Sequence, residues 1–298
     1  MSDAMTVAFV GLGNMGSPMS ERLVAAGYPV RGFDLAPAAR ERLEAAGGET
    51  ADSAGAVVAE ADLVILMLPN SAIVEAVLTG ESGVLAQARP GTLFVDMSSS
   101  EPLRTRALAE VVQAAGSRLI DAPVSGGVKG AVAGTLTIMV GGAESDLDEA
   151  RGVLEVLGKP ALVGPIGAGH ALKAINNLMS AAHLWVTSEA MLTGIEFGLD
   201  PTVMLDAINT SSGRSGSTQL KWPNFIVGET YDSGFGLSLM LKDMRIATGL
   251  AESLGVPHTL SDQAVAHWST ASEDLGPAAD HTEVARWLRA QEKEGSAE

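Results

Sequence analysis

Lysine is scarce in this chain, which carries only Lys129, Lys159, Lys173, Lys221, Lys242 and Lys293, and Lys173 has the least ordinary setting. It lies early in an apolar helical stretch entered through glycines, Gly167 to Asn177 (GAGHALKAINN). Asn176 and Asn177 follow three and four positions later and so share its helix face. Two amides and an amine on one apolar helix must be solvated, paired or functional. A lysine held partly desolvated in a cleft has a lowered pKa and exchanges protons near neutrality. It could take the proton of a hydroxyl whose carbon gives up a hydride, with Asn177 holding either the ammonium or that hydroxyl. The other fate of a helix lysine, and the commoner one, is to snorkel to solvent while its stem packs.

A second candidate is Ser125, Gly126 and Gly127, just after the strand expected at Arg118 to Ala122. Small residues let successive backbone N–H groups converge on an anion, and the Ser125 hydroxyl adds a donor, so a substrate carboxylate would fit; the same residues could equally form an ordinary turn. Lys242, beside Asp243 in LMLKDM, reads by itself as an exposed member of an amphipathic helix. His170, His183, His258, His267 and His281 lack tight metal-ligand spacing and are read as structural, although His170 is close enough to Lys173 to influence it.

A hydride needs an acceptor, and Thr6 to Met19 (TVAFVGLGNMGSPM) provides a place for one. An apolar strand, Val7 to Val10, runs into Gly11, Gly13 and Gly16 and then into a helical segment reaching Ala26. Strand, glycine turn and helix in that order are the context a G-x-G-x-x-G match requires before it signifies dinucleotide binding. Gly11 supplies the turn, Gly13 leaves room for pyrophosphate, and Gly16 permits close packing, so Leu12, Asn14 and Met15 join them as cofactor neighbours. The second strand, Pro29 to Phe33, ends in Asp34, about 20 residues beyond the glycines, where an acid accepts from both ribose hydroxyls; this reads as an NAD site.

The elements that must position these groups follow the same pattern. Asp62 to Leu68 is a strand buried on both faces, and its end places Leu68, Pro69 and Asn70 near the cofactor crevice. Thr92 to Val95 leads to Asp96 and Ser98 to Ser100, with Ser100 expected to cap the helix Pro102 to Ala115 and Ser99 to face the crevice. Further helices are expected at Pro37–Ala46, near Ser53–Glu60 and at Glu144–Leu157, and further strands at Leu136–Val140 and Ala161–Val163. From Ala168 only helical patterns remain: Ala168–Phe197, Pro201–Asn209, Gly236–Ser253, Thr259–Ser272 and Thr282–Ala290, with a frayed tail from Gln291. The expected organisation is α/β, a Rossmann-like, doubly wound and mostly parallel sheet over residues 1–165, followed by an all-α domain over 166–298 for substrate and oligomerisation.

The length of 298 residues suits two such domains. With 19 basic against 36 acidic residues, the formal charge of −17 repels phosphate backbones and anionic membranes, so nucleic-acid and membrane partners are not expected. An anionic substrate or cofactor therefore needs a locally positive site. The absence of cysteine excludes disulfides and suits a cytoplasmic protein. No export signal is evident near Asp3, and Lys173, Asn176, Asn177, His183 and Glu189 interrupt the longest apolar helix, so it is not expected to span a bilayer.

Four motifs in order resemble the β-hydroxyacid dehydrogenase family over nearly the whole chain: FVGLGNMGSPM from Phe9, DAPVSGG from Asp121, GAGHALKAINN from Gly167, and the late pair Lys242 and Asp243. The resemblance implies that Lys173 is the acid/base residue and that Ser125, Gly126, Gly127 and Asn177 bind a small β-hydroxy acid such as 3-hydroxyisobutyrate. It further implies that Lys242 closes over nicotinamide and substrate, that Leu68, Pro69 and Ser99 touch the cofactor, and that the helical domain forms a homodimer or homotetramer. Members with an acid in the place of Asp34 tend to prefer NAD, whereas an Asn-Arg pair suits NADP. His170 stands where glutamine is common, and the loop Ser211 to Ser217 (SSGRSGS) departs from the pattern associated with the 3-hydroxyisobutyrate enzymes. The rival readings are a reductase of tartronate semialdehyde or a related short aldehyde acid, and a dinucleotide-binding sensor or scaffold without turnover. Many imine reductases share the architecture but replace the catalytic lysine, which Lys173 argues against.

Overall fold

The structure, a computed structural model, describes residues 5–295, and these divide into two compact units, the first ending at Lys173 and the second beginning at Ala174. The division falls inside a helix, eight residues beyond the boundary expected at Pro165.

The first unit is built on parallel strands whose residues are apolar on both faces. β1 (Val7–Val10), β4 (Leu63–Leu66) and β5 (Leu93–Asp96) are buried throughout. Phe9, Ile65 and Val95 face one core, while Ala8, Val64 and Phe94 face another on the opposite side of the sheet. Runs without polar alternation are what a parallel sheet covered on both sides requires. β2 (Val30–Phe33) and β3 (Glu49–Thr50) extend the sheet beyond β1, and β6 (Arg118–Asp121) extends it beyond β5, all in parallel. β8 (Leu136–Gly141) then pairs antiparallel with β6 and with β7 (Val124–Ser125), and parallel with β9 (Gly158–Gly164). The path is therefore β3-β2-β1-β4-β5-β6-β8-β7, with β9 beside β8. The order reverses at β1 and β4, and ligands of open α/β sheets bind beyond the strand ends at such a switch point.

The connecting helices are α1 (Gly16–Ala25), α2 (Pro37–Ala45), α3 (Ala54–Val58), α4 (Ser71–Thr79), α5 (Pro102–Ala114), α6 (Gly127–Ala133) and α7 (Glu144–Leu157). One feature differs from the expected capping. Glu101, not Ser100, occupies the N-cap of α5 and makes no side-chain cap bond, and the Ser100 hydroxyl donates instead to Asp96 Oδ2 at 2.9 Å. The buried Asp96 carboxylate, whose Oδ1 accepts from Ser98 N–H at 3.0 Å, satisfies its second oxygen with the Ser100 hydroxyl, while the helix end reaches Ser71 Oγ through Glu101 N–H at 2.7 Å. Helix α4 has no counterpart among the expected elements, although Asn70 caps it by accepting from Ile73 N–H at 3.0 Å.

The second unit contains most of α8 (Ala168–Glu196), followed by α9 (Pro201–Asn209), α10 (Leu237–Ser253), α11 (Thr259–Leu275) and α12 (Val284–Gly295). Its core gathers Leu184, Trp222, Met244 and Trp268. Residues Ser217–Ile226 form a π-helix carrying Pro223, where no helix is expected from periodicity. Pro223 has no N–H to offer the Thr218 carbonyl five residues back, and Asn209 Nδ2 donates to that carbonyl at 3.2 Å instead, while the i→i+5 spacing falls outside the 3.6-residue pattern. The tail expected to fray from Gln291 is helical through Gly295, and residues 296–298 lie outside the described residues.

Candidate functional site

The glycine turn has the shape that its residues predict. Gly11 has φ of +99°, and a β-carbon there would run into the Met67 carbonyl; a β-carbon on Gly16 would run into the Gly11 carbonyl. Gly13 is different, because a β-carbon there would meet nothing within 4 Å. Two glycines are thus demanded by the protein, and the third faces open space, as a residue that makes room for a ligand does. Helix α1 starts immediately after with no capping side chain; Ser17 N–H donates to the Gly13 carbonyl at 2.9 Å and Pro18 has no N–H, so what the helix start offers a phosphate is chiefly the positive end of its dipole. Asn14 is exposed at the tip and Met15 is half-buried, whereas the Leu12 side chain belongs to the core.

Asp34, at the end of β2, is fixed by the turn itself. Its Oδ2 accepts from Leu12 N–H at 2.7 Å and its Oδ1 from Ala36 N–H at 2.8 Å. Each carboxylate oxygen has further accepting capacity, so a ribose diol could still donate to it. Ser98 is buried and its hydroxyl accepts from Leu68 N–H at 2.9 Å, which ties the ends of β4 and β5 together and leaves Leu68 and Ser99 half-buried and Pro69 exposed along the same edge. The residues present therefore fit a dinucleotide.

Ser125 is half-buried at the end of β7, and Gly126 and Gly127 are exposed with φ of +131° and +61°, conformations that glycine adopts without strain. Four residues upstream, Asp121 holds the entry to α8. Its Oδ1 accepts from Gly167 N–H at 2.6 Å and its Oδ2 from His170 N–H at 2.7 Å. Burial pushes the Asp121 carboxyl above its ordinary pKa, against the charge of His170 and these two bonds. His170 is itself buried between carboxylates, with Nε2 3.7 Å from Asp96 Oδ2. The Thr105 hydroxyl donates to Glu101 O at 3.1 Å, so its contact of 2.8 Å with His170 Nδ1 has the imidazole as donor. Asp121 opens the DAPVSGG motif but has no role of its own in the expected site, and the Thr105 contact leaves no local signature.

Lys173 is 8% exposed on α8, and Asn177, one turn later, is 5% exposed. In the second unit Asn177 Nδ2 donates to Asp243 Oδ2 at 2.7 Å, and Lys242 Nζ lies 3.1 Å from Asp243 Oδ1. The buried Asp243 thus joins two of the expected site residues, Asn177 and Lys242, across α8 and α10. Its adjacency to Lys242 was visible in sequence, but its hold on Asn177 was not, because the partners are 66 residues apart. Among the described residues, no group of three His, Asp or Glu side chains could hold a metal, and no helix is long and apolar enough to cross a membrane.

A doubly wound sheet with a glycine turn, an acid ending its second strand and a following helical unit defines the class of dinucleotide-linked oxidoreductases. Residues 6–169 match the NAD binding domain of 6-phosphogluconate dehydrogenase, and residues 167–288 match the NAD-binding region of NADP-dependent 3-hydroxyisobutyrate dehydrogenase. The chain is 40% identical over 258 residues to 2-(hydroxymethyl)glutarate dehydrogenase of Eubacterium barkeri, covering 86% of each protein. It is 36% identical over 299 residues to the mitochondrial 3-hydroxyisobutyrate dehydrogenase of Mus musculus, covering 98% of this chain and 89% of that one. A solved 3-hydroxyisobutyrate dehydrogenase of Mycobacterium tuberculosis with L-serine is 38% identical, with a TM-score of 0.91 over 96% of this chain and 99% of that one. The chain belongs to the β-hydroxyacid dehydrogenase family.

Proposed function

We propose that this protein is an NAD-dependent dehydrogenase that oxidises the hydroxyl of a small β-hydroxy acid, 3-hydroxyisobutyrate being the reference substrate. The observation that carries this reading is Lys173, a nearly buried amine on a helix whose entry is held by Asp121 and whose next turn presents Asn177, itself held by Asp243. NAD bound at the glycine turn supplies the hydride acceptor. Lys173 takes the proton of the substrate hydroxyl as the carbon loses hydride, and returns it in the reverse direction. Asn177, oriented through its amide, holds the hydroxyl oxygen. Ser125 with the N–H groups of Gly126 and Gly127 receives the substrate carboxylate, while Lys242, steered by Asp243, adds positive charge over the reacting groups. Asp34 accepts from the adenosine ribose, Gly11, Gly13 and Gly16 with Asn14 and Met15 admit the pyrophosphate, and Leu68, Pro69 and Ser99 line the cofactor.

Residues 1–165 form the cofactor domain in this reading and 166–298 the substrate and assembly domain. Self-association as a homodimer or homotetramer is supported by Ile175, Met179 and Val186, which are 42%, 54% and 57% exposed and recur along one face of α8. A cytoplasmic location is part of the same proposal, and a chain without cysteine is compatible with it.

The test is a panel of short hydroxy acids, including 3-hydroxyisobutyrate, L-serine and 2-(hydroxymethyl)glutarate, followed by absorbance of the reduced cofactor. K173A lowers turnover on the accepted substrate by at least ~10²-fold, the usual size of a general acid/base contribution. Near-normal turnover by K173A removes Lys173 from the mechanism, and cofactor binding without turnover of any acid favours a sensor.

A further inference from the structure

Lys221 sits in the π-helix, partly buried, and its Nζ donates to Ser180 Oγ at 2.8 Å and approaches Ser180 O at 3.3 Å. Both partners are neutral. Among the described residues Lys221 forms no ion pair, in a chain with 36 acidic side chains available. Asp280 acts on it only through longer-range attraction, and His281, from the same turn, feels it as a neighbouring positive charge. Burial accordingly pushes the Lys221 amine down to about 8. An ammonium taken out of water without a counterion is costly, and evolution of a simple anchor for Ser180 would not require a charge.

The placement of its partner says where the missing anion belongs. Successive helix residues turn by about 100°, so Ser180, seven positions after Lys173, returns to within about 20° of the same direction on α8. Asn177 lies between them on that face, and the rise from Lys173 to Ser180 is about 10 Å. Lys221 thus adds a cation to the face that already carries the proposed acid/base residue and the proposed hydroxyl ligand.

We propose that Lys221 is a specificity-determining residue that binds a second carboxylate of the substrate, distal to the reacting hydroxyl, so that this enzyme favours dicarboxylic β-hydroxy acids over uncharged-branch ones. The proposal rests on Lys173 marking the reacting end, as read above. A charge-assisted hydrogen bond to a desolvated ammonium is worth about 10- to 100-fold in affinity.

A matched substrate pair tests it: 3-hydroxyisobutyrate and 2-(hydroxymethyl)glutarate share the hydroxymethyl and carboxylate groups and differ in a methyl against a carboxyethyl branch. The wild-type enzyme should favour the dicarboxylate in kcat/KM by at least about 10-fold, mainly through KM. K221M should bring the ratio close to one, whereas K221R, which stays charged, should retain most of it. K221Q, which keeps a hydrogen bond to Ser180 without charge, should lose the preference as K221M does, so that a folding defect in K221M does not decide the matter. Binding is read separately by calorimetry on the NAD-loaded protein, with glutarate and butanoate as probes: glutarate should bind more tightly to the wild type, and the difference should vanish in K221Q. A wild type indifferent to the second carboxylate in both assays, or a K221Q that keeps the full discrimination, overturns the proposal. Selective glutarate binding with neither acid turned over would sink the dehydrogenase reading and leave the Lys221 site standing.

Discussion

Gly13 and Gly16 allow the cofactor assignment to be separated from the stability of the turn that makes it. A β-carbon on Gly16 collides with the Gly11 carbonyl, a backbone atom that cannot rotate aside, so G16A must push α1 away from β1. Overpacking of this kind costs about 1–3 kcal/mol, which for a protein of this size lowers Tm by roughly 2–12 °C. G13A adds the same methyl where nothing lies within 4 Å, so the apo protein should keep its Tm to within a degree or two. Its effect is expected on the ligand: the methyl occupies the space left for the pyrophosphate and lengthens at least one hydrogen bond to a charged group, a loss of about 1.5–3 kcal/mol, or about 10- to 150-fold in Kd for NAD. Thermal denaturation of the apo proteins and calorimetric titration with NAD read the two effects independently. G13A with wild-type affinity would show that the phosphates lie elsewhere, and G16A with a wild-type Tm would show that the helix does not need the close approach described here.

Other outcomes follow from the charged groups. D34A should weaken NAD by at least about 10-fold and NADP by less, since it removes an acceptor for a ribose diol and a repulsion against a 2′-phosphate; an unchanged NAD to NADP ratio in equilibrium binding would refute the ribose assignment. Burial lowers the His281 pKa below its ordinary value, despite support from Asp280 and the Phe235 carbonyl. The unfolded chain therefore binds the proton more readily, and stability should fall as pH drops through the ordinary imidazole range near 6.5 and below. Urea denaturation at pH 7.5 and 5.5 should show a larger loss for the wild type than for H281Q, and equal losses would remove His281 as a source of acid sensitivity. Burial would by itself raise the pKa of the neighbouring Asp280, but hydrogen bonds from His281, Thr282 and Ser233 lower it instead, so its own contribution is lost only under more acidic conditions.

What could be read from sequence was whatever is local. The glycine turn, Asp34 and the fully apolar strands are set by backbone sterics and by burial on two faces, which leave short-range signatures at Thr6 to Met19 and Asp62 to Leu68. The shared face of Lys173 and Asn177 follows from helical spacing alone. The groups that hold these residues are another matter, because hydrogen bonds between remote positions have no period. Asp121 reaches 46 and 49 residues forward to the entry of α8, and Asp243 reaches 66 residues back to Asn177. The expected capping role of Ser100 failed for the same reason: local propensity favoured the helix end, and a buried carboxylate four residues earlier supplied the stronger claim on its hydroxyl.

Lys221 shows most plainly how charge becomes informative only after folding. In sequence it is one lysine beside a tryptophan and a proline, in a stretch without helical period. In the folded unit it is a cation whose partners are both neutral, on the helix face that carries Lys173 and Asn177, in a chain with 36 acidic residues. The overall charge of −17 requires any anionic substrate to be met by local positive charge. Lys173 cannot supply that charge while it acts as a base, because a base must be neutral to take a proton. A second carboxylate on the substrate therefore needs a cation other than Lys173, and Lys221 is placed to be that group.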